Sequence, residues 1–135
     1  MESDKMSRIV ELFESQPYHQ YLGLKVIECS DGISQIQINI RPELCNPVGT
    51  LHGGIIYSLC AVASSLASLS IIDDGKYTVA SDFNISVLKA VPSGKLTVVG
   101  KVLKAGKRLV FVEVTVYDEQ SVVCAIGRVT KTVLP

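Results

Sequence analysis

The stretch Asn46-Pro47-Val48-Gly49-Thr50-Leu51-His52-Gly53-Gly54 holds the residue types and spacing best suited to chemistry on a carbonyl. A long helical pattern starts at Gly53, so His52-Gly53-Gly54 falls at a helix N-terminus. Unpaired N–H groups and a partial positive charge gather at such an end. Two glycines remove side chains there, so a carbonyl can approach the backbone, which is how an oxyanion hole is built. In that reading His52 orients the loop and Asn46 positions a water or the carbonyl. The competing reading is a helix-capping loop. Asn46 then bonds local backbone, His52 fills a polar niche, and the glycines only relieve packing.

Further candidates lie downstream. Ser64 and Ser65 fall on the same helix and can hold a water, but a serine without a base is a poor nucleophile. Small-residue packing is the alternative for both. Cys60 is intrinsically the better nucleophile, yet it reads as a buried free thiol. Asp82 is the nearest acidic candidate elsewhere, and its strand phase opposes Phe83 and Ile85. It is therefore expected at solvent or a subunit interface. Lys89 and the hairpin Lys104-Ala105-Gly106-Lys107-Arg108 are the basic features suited to an anionic ligand such as a phosphate. The alternative for the hairpin is a solvated tip.

These residues need elements to hold them. The order predicted from periodicity is a short helix, two strands, one long helix and four strands. Ser3 or Asp4 is placed to cap the first helix, whose stripe is Met6, Ile9, Val10 and Phe13. Pro17 stops it. Strands follow over 24–29 and through the alternating residues 35–40, joined at Asp31-Gly32, and Pro42 ends the second. The uncharged helix runs from Gly53 to Leu69 or Ile72, and Asp73-Asp74-Gly75 terminates it. Strands are then expected over 78–88, 96–103, 109–117 and 122–133. In the first of these, Val79, Phe83, Ile85 and Val87 share one face. Short connections predict that the last four strands form an antiparallel meander. The sheet needs an apolar cover, and only the long helix can supply it. The fold class is therefore α+β, a curved six-stranded antiparallel sheet wrapped around one central helix.

Composition narrows the function classes. The chain has 135 residues, 47 % hydrophobic and 19 % charged, enough for one packed domain over 1–135. Thirteen basic residues balance thirteen acidic ones, which leaves no electrostatic footprint for nucleic acid. No Asp, Glu, Lys or Arg occurs between Glu43 and Asp73. Serines interrupt that run and no basic cluster flanks it. It reads as a helix buried on all sides rather than a membrane span. The charged N-terminus, with no apolar core behind it, does not read as a signal peptide. The four cysteines form no C-x-x-C pair, so neither a metal site nor a disulfide framework is expected, and reduced thiols suit a cytoplasmic protein.

With these motifs in order, the chain resembles the hotdog-fold acyl-CoA thioesterases of the phenylacetyl-CoA and 4-hydroxybenzoyl-CoA group. The likeness rests on the N-x-x-G-x-x-H-G-G pattern of Asn46–Gly54, the Tyr21-Leu22-Gly23-Leu24 entry, Asp82-x-Asn84 and Lys104-x-Gly106-Lys107. It spans nearly the whole chain. The resemblance implies that the Gly53 N–H polarises a thioester carbonyl, with Asn46, His52 and Gly54 beside it. It implies that Ser81, Asp82, Lys89, Lys104, Gly106, Lys107 and Arg108 bind substrate or coenzyme A. It implies a homodimer or a dimer of dimers, and no cofactor. One departure stands out. The helix carboxylate that serves such enzymes as base or nucleophile, acting from the partner subunit, falls here on Ala61. Losing a positioned base typically removes 10²–10⁴-fold in rate. Two readings follow, a slow acyl-CoA thioesterase and a non-catalytic acyl-CoA-binding or regulatory protein. A dehydratase is a weaker third, because this helix offers neither its histidine nor its acid.

Overall fold

The computed structural model describes residues 2–135. Helix α1 (Glu2–Glu14) begins upstream of both expected caps, so Ser3 and Asp4 lie within it. Pro17 opens a second helix, α2 (Pro17–Leu22), at the first-turn position where its missing N–H costs nothing. Gly23, at φ 72°, ends that helix in the left-handed region. Strands β1 (Lys25–Ser30) and β2 (Ile33–Ile40) pair around Asp31 and Gly32, whose φ angles of 52° and 79° make a tight hairpin turn. A 3₁₀ turn at Pro42–Leu44 leads into the loop before α3 (Gly53–Leu69). Helix α3 stops at Leu69 with Ser70 as its cap, short of Ile72. Among the described residues no helix is long and apolar enough to cross a membrane.

Strands β3 (Tyr77–Val87), β4 (Gly94–Ala105), β5 (Leu109–Tyr117) and β6 (Val123–Leu134) complete one antiparallel sheet in the order β1-β2-β4-β5-β6-β3. The expected four-strand meander is thus a three-strand one, β4-β5-β6. Strand β3 lies at the far edge beside β6. The link 88–93 does not turn back. Its Val91 is buried and its carbonyl accepts the Leu51 N–H, so the segment crosses under the loop before α3.

A bulge between Ala80 and Asp82 corrects the reading of β3. Thr78 reaches Ser68 of α3 at 3.2 Å, and Phe83 packs edge-on against Tyr57 of the same helix. Both residues face α3 only because one extra residue intervenes, which puts Val79 on the opposite face from Phe83.

Alternating valines drive the rest. Val110, Val112, Val114 and Val116 of β5 are fully buried against α3, with Leu96 and Val98 of β4 beside them. Helix α3 presses so closely on β4 that a Cβ at Gly100 would stand 2.7 Å from the Ala63 carbonyl oxygen. Ser34 donates to that same oxygen at 2.6 Å. The helix is not buried all round, because Tyr57 is exposed and Ala61 and Ser65, each one turn on, are half-buried. These three residues form a stripe beside the β3 edge.

Candidate active site

The loop before α3 is built by Asn46. Its Oδ1 accepts from the N–H groups of Val48 and Thr50, each at 3.1 Å, and its Nδ2 donates to Thr50 Oγ1 at 3.0 Å. Asn46 is therefore occupied in shaping the turn, as the capping-loop reading has it. The His52 backbone N–H bonds the Leu44 carbonyl, which ties the loop to the 3₁₀ turn.

His52 caps the helix. Its Nδ1 accepts the Gly54 N–H at 2.9 Å, which places the ring proton of the neutral imidazole on Nε2. A Cβ at Gly54 would sit 3.1 Å from that Nδ1, so the glycine lets the ring lie against the backbone. The N–H groups of Ile55 and Ile56 go to the His52 carbonyl. Of the four N–H groups at this helix start, only that of Gly53 has no acceptor among the described residues. Gly53 needs no glycine for packing, since a Cβ there would meet nothing within 4 Å. Its backbone is not in the left-handed region either. A free donor at a positive helix end, with open space beside it, suits a developing oxyanion.

Along the helix, most hydroxyls are spent on the backbone. Ser58, Ser64 and Ser68 donate to the carbonyls of Gly54, Ala61 and Ser65. Ser64 is fully buried and is a packing residue. Ser65 differs, because its Oγ receives a hydrogen bond from Lys131 Nζ at 2.8 Å. Lys131 was not among the residues expected from sequence. It lies on β6 in phase with Val129 and Val133, facing α3, and is only 3 % exposed. Burial pushes its amine down from 10.5 to about 8. Cys60 is buried and its thiol is pushed up to about 12, which removes it as a nucleophile.

The remaining candidates are dispersed. Ser81 occupies the β3 bulge and donates to the Thr130 carbonyl at 3.3 Å. Asp82 pairs with Thr130 on the face of the sheet away from α3, beside Glu113 and Arg128. Lys89 is committed within the chain to Asp118, whose carboxyl is nearly buried and also accepts from the Gln120 and Val122 N–H groups. The Lys89 ammonium, then those N–H groups, hold the Asp118 carboxyl below its usual range. Lys104, Gly106, Lys107 and Arg108 form the exposed β4–β5 hairpin, and none of its cations makes an ion pair among the described residues. Lys89 and this hairpin flank opposite ends of β5, so one phosphate cannot engage both.

Comparison with known proteins bears on the family and the fold. The model of the thioesterase superfamily matches residues 48–125, which begin in the Asn46 loop and include all of α3. A protein of Saccharolobus solfataricus named "Putative esterase SSO1253" is 32 % identical over 89 % of this chain and 79 % of its own length. The solved structure of conserved protein PA5202 from Pseudomonas aeruginosa superposes with a TM-score of 0.83 at 29 % identity. It covers 88 % of this chain and 94 % of that one. The Escherichia coli PaaI protein, from the phenylacetic acid degradation operon, shares the fold with a TM-score of 0.90 at 22 % identity, covering 100 % of this chain and 97 % of its own.

Proposed function

The chain belongs to the thioesterase superfamily, and from that premise we propose that it hydrolyses the thioester of an acyl-coenzyme A to a free acid and coenzyme A. The observation that carries the reading is the unpaired Gly53 N–H at the start of α3. The thioester carbonyl oxygen accepts this hydrogen. As the tetrahedral intermediate forms, negative charge grows on that oxygen, where the helix end stabilises it most. Open space at Gly53 admits the acyl carbonyl, and the His52–Gly54 bond keeps the loop rigid. The hairpin cations Lys104, Lys107 and Arg108 are free to meet the phosphates of coenzyme A. The working form is a homodimer or a dimer of dimers, and the four free cysteines suit the cytoplasm.

A second reading, acyl-CoA binding without turnover, is favoured by one observation, the methyl group at Ala61. Released coenzyme A measured across short, long and aromatic acyl-CoAs separates the two. Release above the uncatalysed rate is expected for at least one acyl class. Saturable binding with no release for any of them establishes the second reading instead.

A further inference from the structure

We propose that Ser65 and Lys131 act as a nucleophile and base pair, supplying the chemistry that Ala61 cannot. The choice of a thioester substrate rests on the function proposed above, but the pair itself is read from geometry. Among the helix serines only Ser65 leaves its hydroxyl hydrogen undonated among the described residues, and its Oγ lies 2.8 Å from an amine. The residue is half-buried on the open stripe of α3, one turn from Ala61. A thioester carbonyl held at Gly53 reaches it only from a second copy, because Gly53 of the same chain is twelve residues back along the helix.

The surroundings of Lys131 are apolar. It pairs with Ala80 on β3 and Val110 on β5, with Val129 and Val133 on its own strand. From α3 it meets Ser65, and that helix carries no Asp, Glu, Lys, Arg or His. Asp82, Glu113 and Arg128 sit on the far face of the sheet. With no carboxylate to hold its charge, the amine is lowered to about 8. Roughly a tenth is then neutral and able to take a proton at pH 7.

The step balances without another reactant. Ser65 Oγ attacks the acyl carbon while its proton passes to Lys131 Nζ. The C–S bond breaks and the departing thiolate takes that proton, leaving an acyl ester on Ser65. Water then attacks the ester as Lys131 Nζ accepts its proton. The proton returns to Ser65 as the C–O bond breaks. Serine nucleophiles with a lysine base are a known chemical solution.

The test uses p-nitrophenyl acetate with rapid acid quench and peptide mapping, on the wild-type protein and the variants Ser65→Ala, Lys131→Met and Lys131→Arg. Arginine keeps the charge and a donor but cannot deprotonate, so a structural role survives Lys131→Arg while a base role does not. Acetyl is expected on Ser65, at a rate that rises with pH and levels off above about 8. Both Lys131 variants should slow it by about 100-fold or more. No acetyl on Ser65, or acetylation of Lys131→Arg at the wild-type rate, overturns the pair. Undiminished acyl-CoA hydrolysis by Ser65→Ala overturns it too, while leaving the proposed function intact. Acetylated Ser65 in a protein inert to every acyl-CoA supports the pair and removes the substrate assignment.

Discussion

Asn46 and Gly53 divide the loop between holding and reacting, and their substitutions should behave differently. Asn46→Ala removes the acceptor for two backbone N–H groups and should cost about 1–3 kcal/mol in urea unfolding. Asn46→Asp keeps that acceptor, so both stability and turnover should stay near wild type. A collapse of turnover in a stable Asn46→Asp protein would show that Nδ2 touches substrate. Lys131 makes a separate prediction. Its folded pKa, about 8, lies below the unfolded 10.5, so the unfolded state binds more protons between those values. Stability must then rise with pH across that window, and the full penalty applies below it. Against Lys131→Met, the wild type should gain about 3 kcal/mol between pH 7 and pH 10.5, read from paired urea titrations. A constant difference would contradict a desolvated amine. The contrast also shows what sequence makes legible. Asn46, His52 and Gly54 interact within a few residues of one another, so their spacing exposes the loop. Lys131 meets a partner 66 positions away, and a lysine in a strand suggests solvent unless its phase with Val129 and Val133 is followed.

The elements were legible where periodicity alone decides them. The uncharged run after Gly53 gave α3, and the β5 valines gave a strand with one buried face. Connection length failed for β3, because a short link can cross a sheet end as easily as reverse. What settles its place is the burial of Val91, a tertiary fact. The bulge at Ser81 was equally hidden, since alternation predicts a phase but not its slip. The β4–β5 hairpin is the element whose cations are open to a ligand. Its cations stand exposed, without ion pairs among the described residues, while Lys89 is tied to Asp118 at the other end of β5. Replacing Lys104, Lys107 and Arg108 together by alanine should weaken coenzyme A binding by about 1.5–3 kcal/mol, the usual worth of a charge-assisted bond. Calorimetry that finds unchanged affinity would remove the hairpin from the site, and Lys89→Ala should leave affinity untouched.

The assembled sheet has two edges, β1, where Glu14 of α1 accepts the Val26 N–H, and β3. Strand β3 is 11 residues long and exposes Val79, Phe83 and Val87. Such an edge is a template for a second strand, and pairing with a second copy would satisfy it. A site shared between copies also answers a distance. Gly53 and Ser65 lie twelve residues apart on one helix, about 18 Å, too far to act on one thioester within a single chain. Sedimentation should find a dimer, and turnover per chain should fall when dilution dissociates it. A fully active monomer would contradict the shared site. The proposed hydrolysis nevertheless depends on one backbone hydrogen, that of Gly53, and one substitution isolates it. Proline suits the first position of a helix, and His52, at φ −61° and ψ 131°, has the extended backbone that precedes proline. Gly53→Pro therefore deletes the free N–H while keeping the fold, and Gly53→Ala keeps both. In single-turnover hydrolysis of the preferred acyl-CoA, Gly53→Pro should be slower by about 10²–10³-fold with an unchanged melting temperature, and Gly53→Ala should retain most of the rate. A folded Gly53→Pro protein working at the wild-type rate would contradict the account.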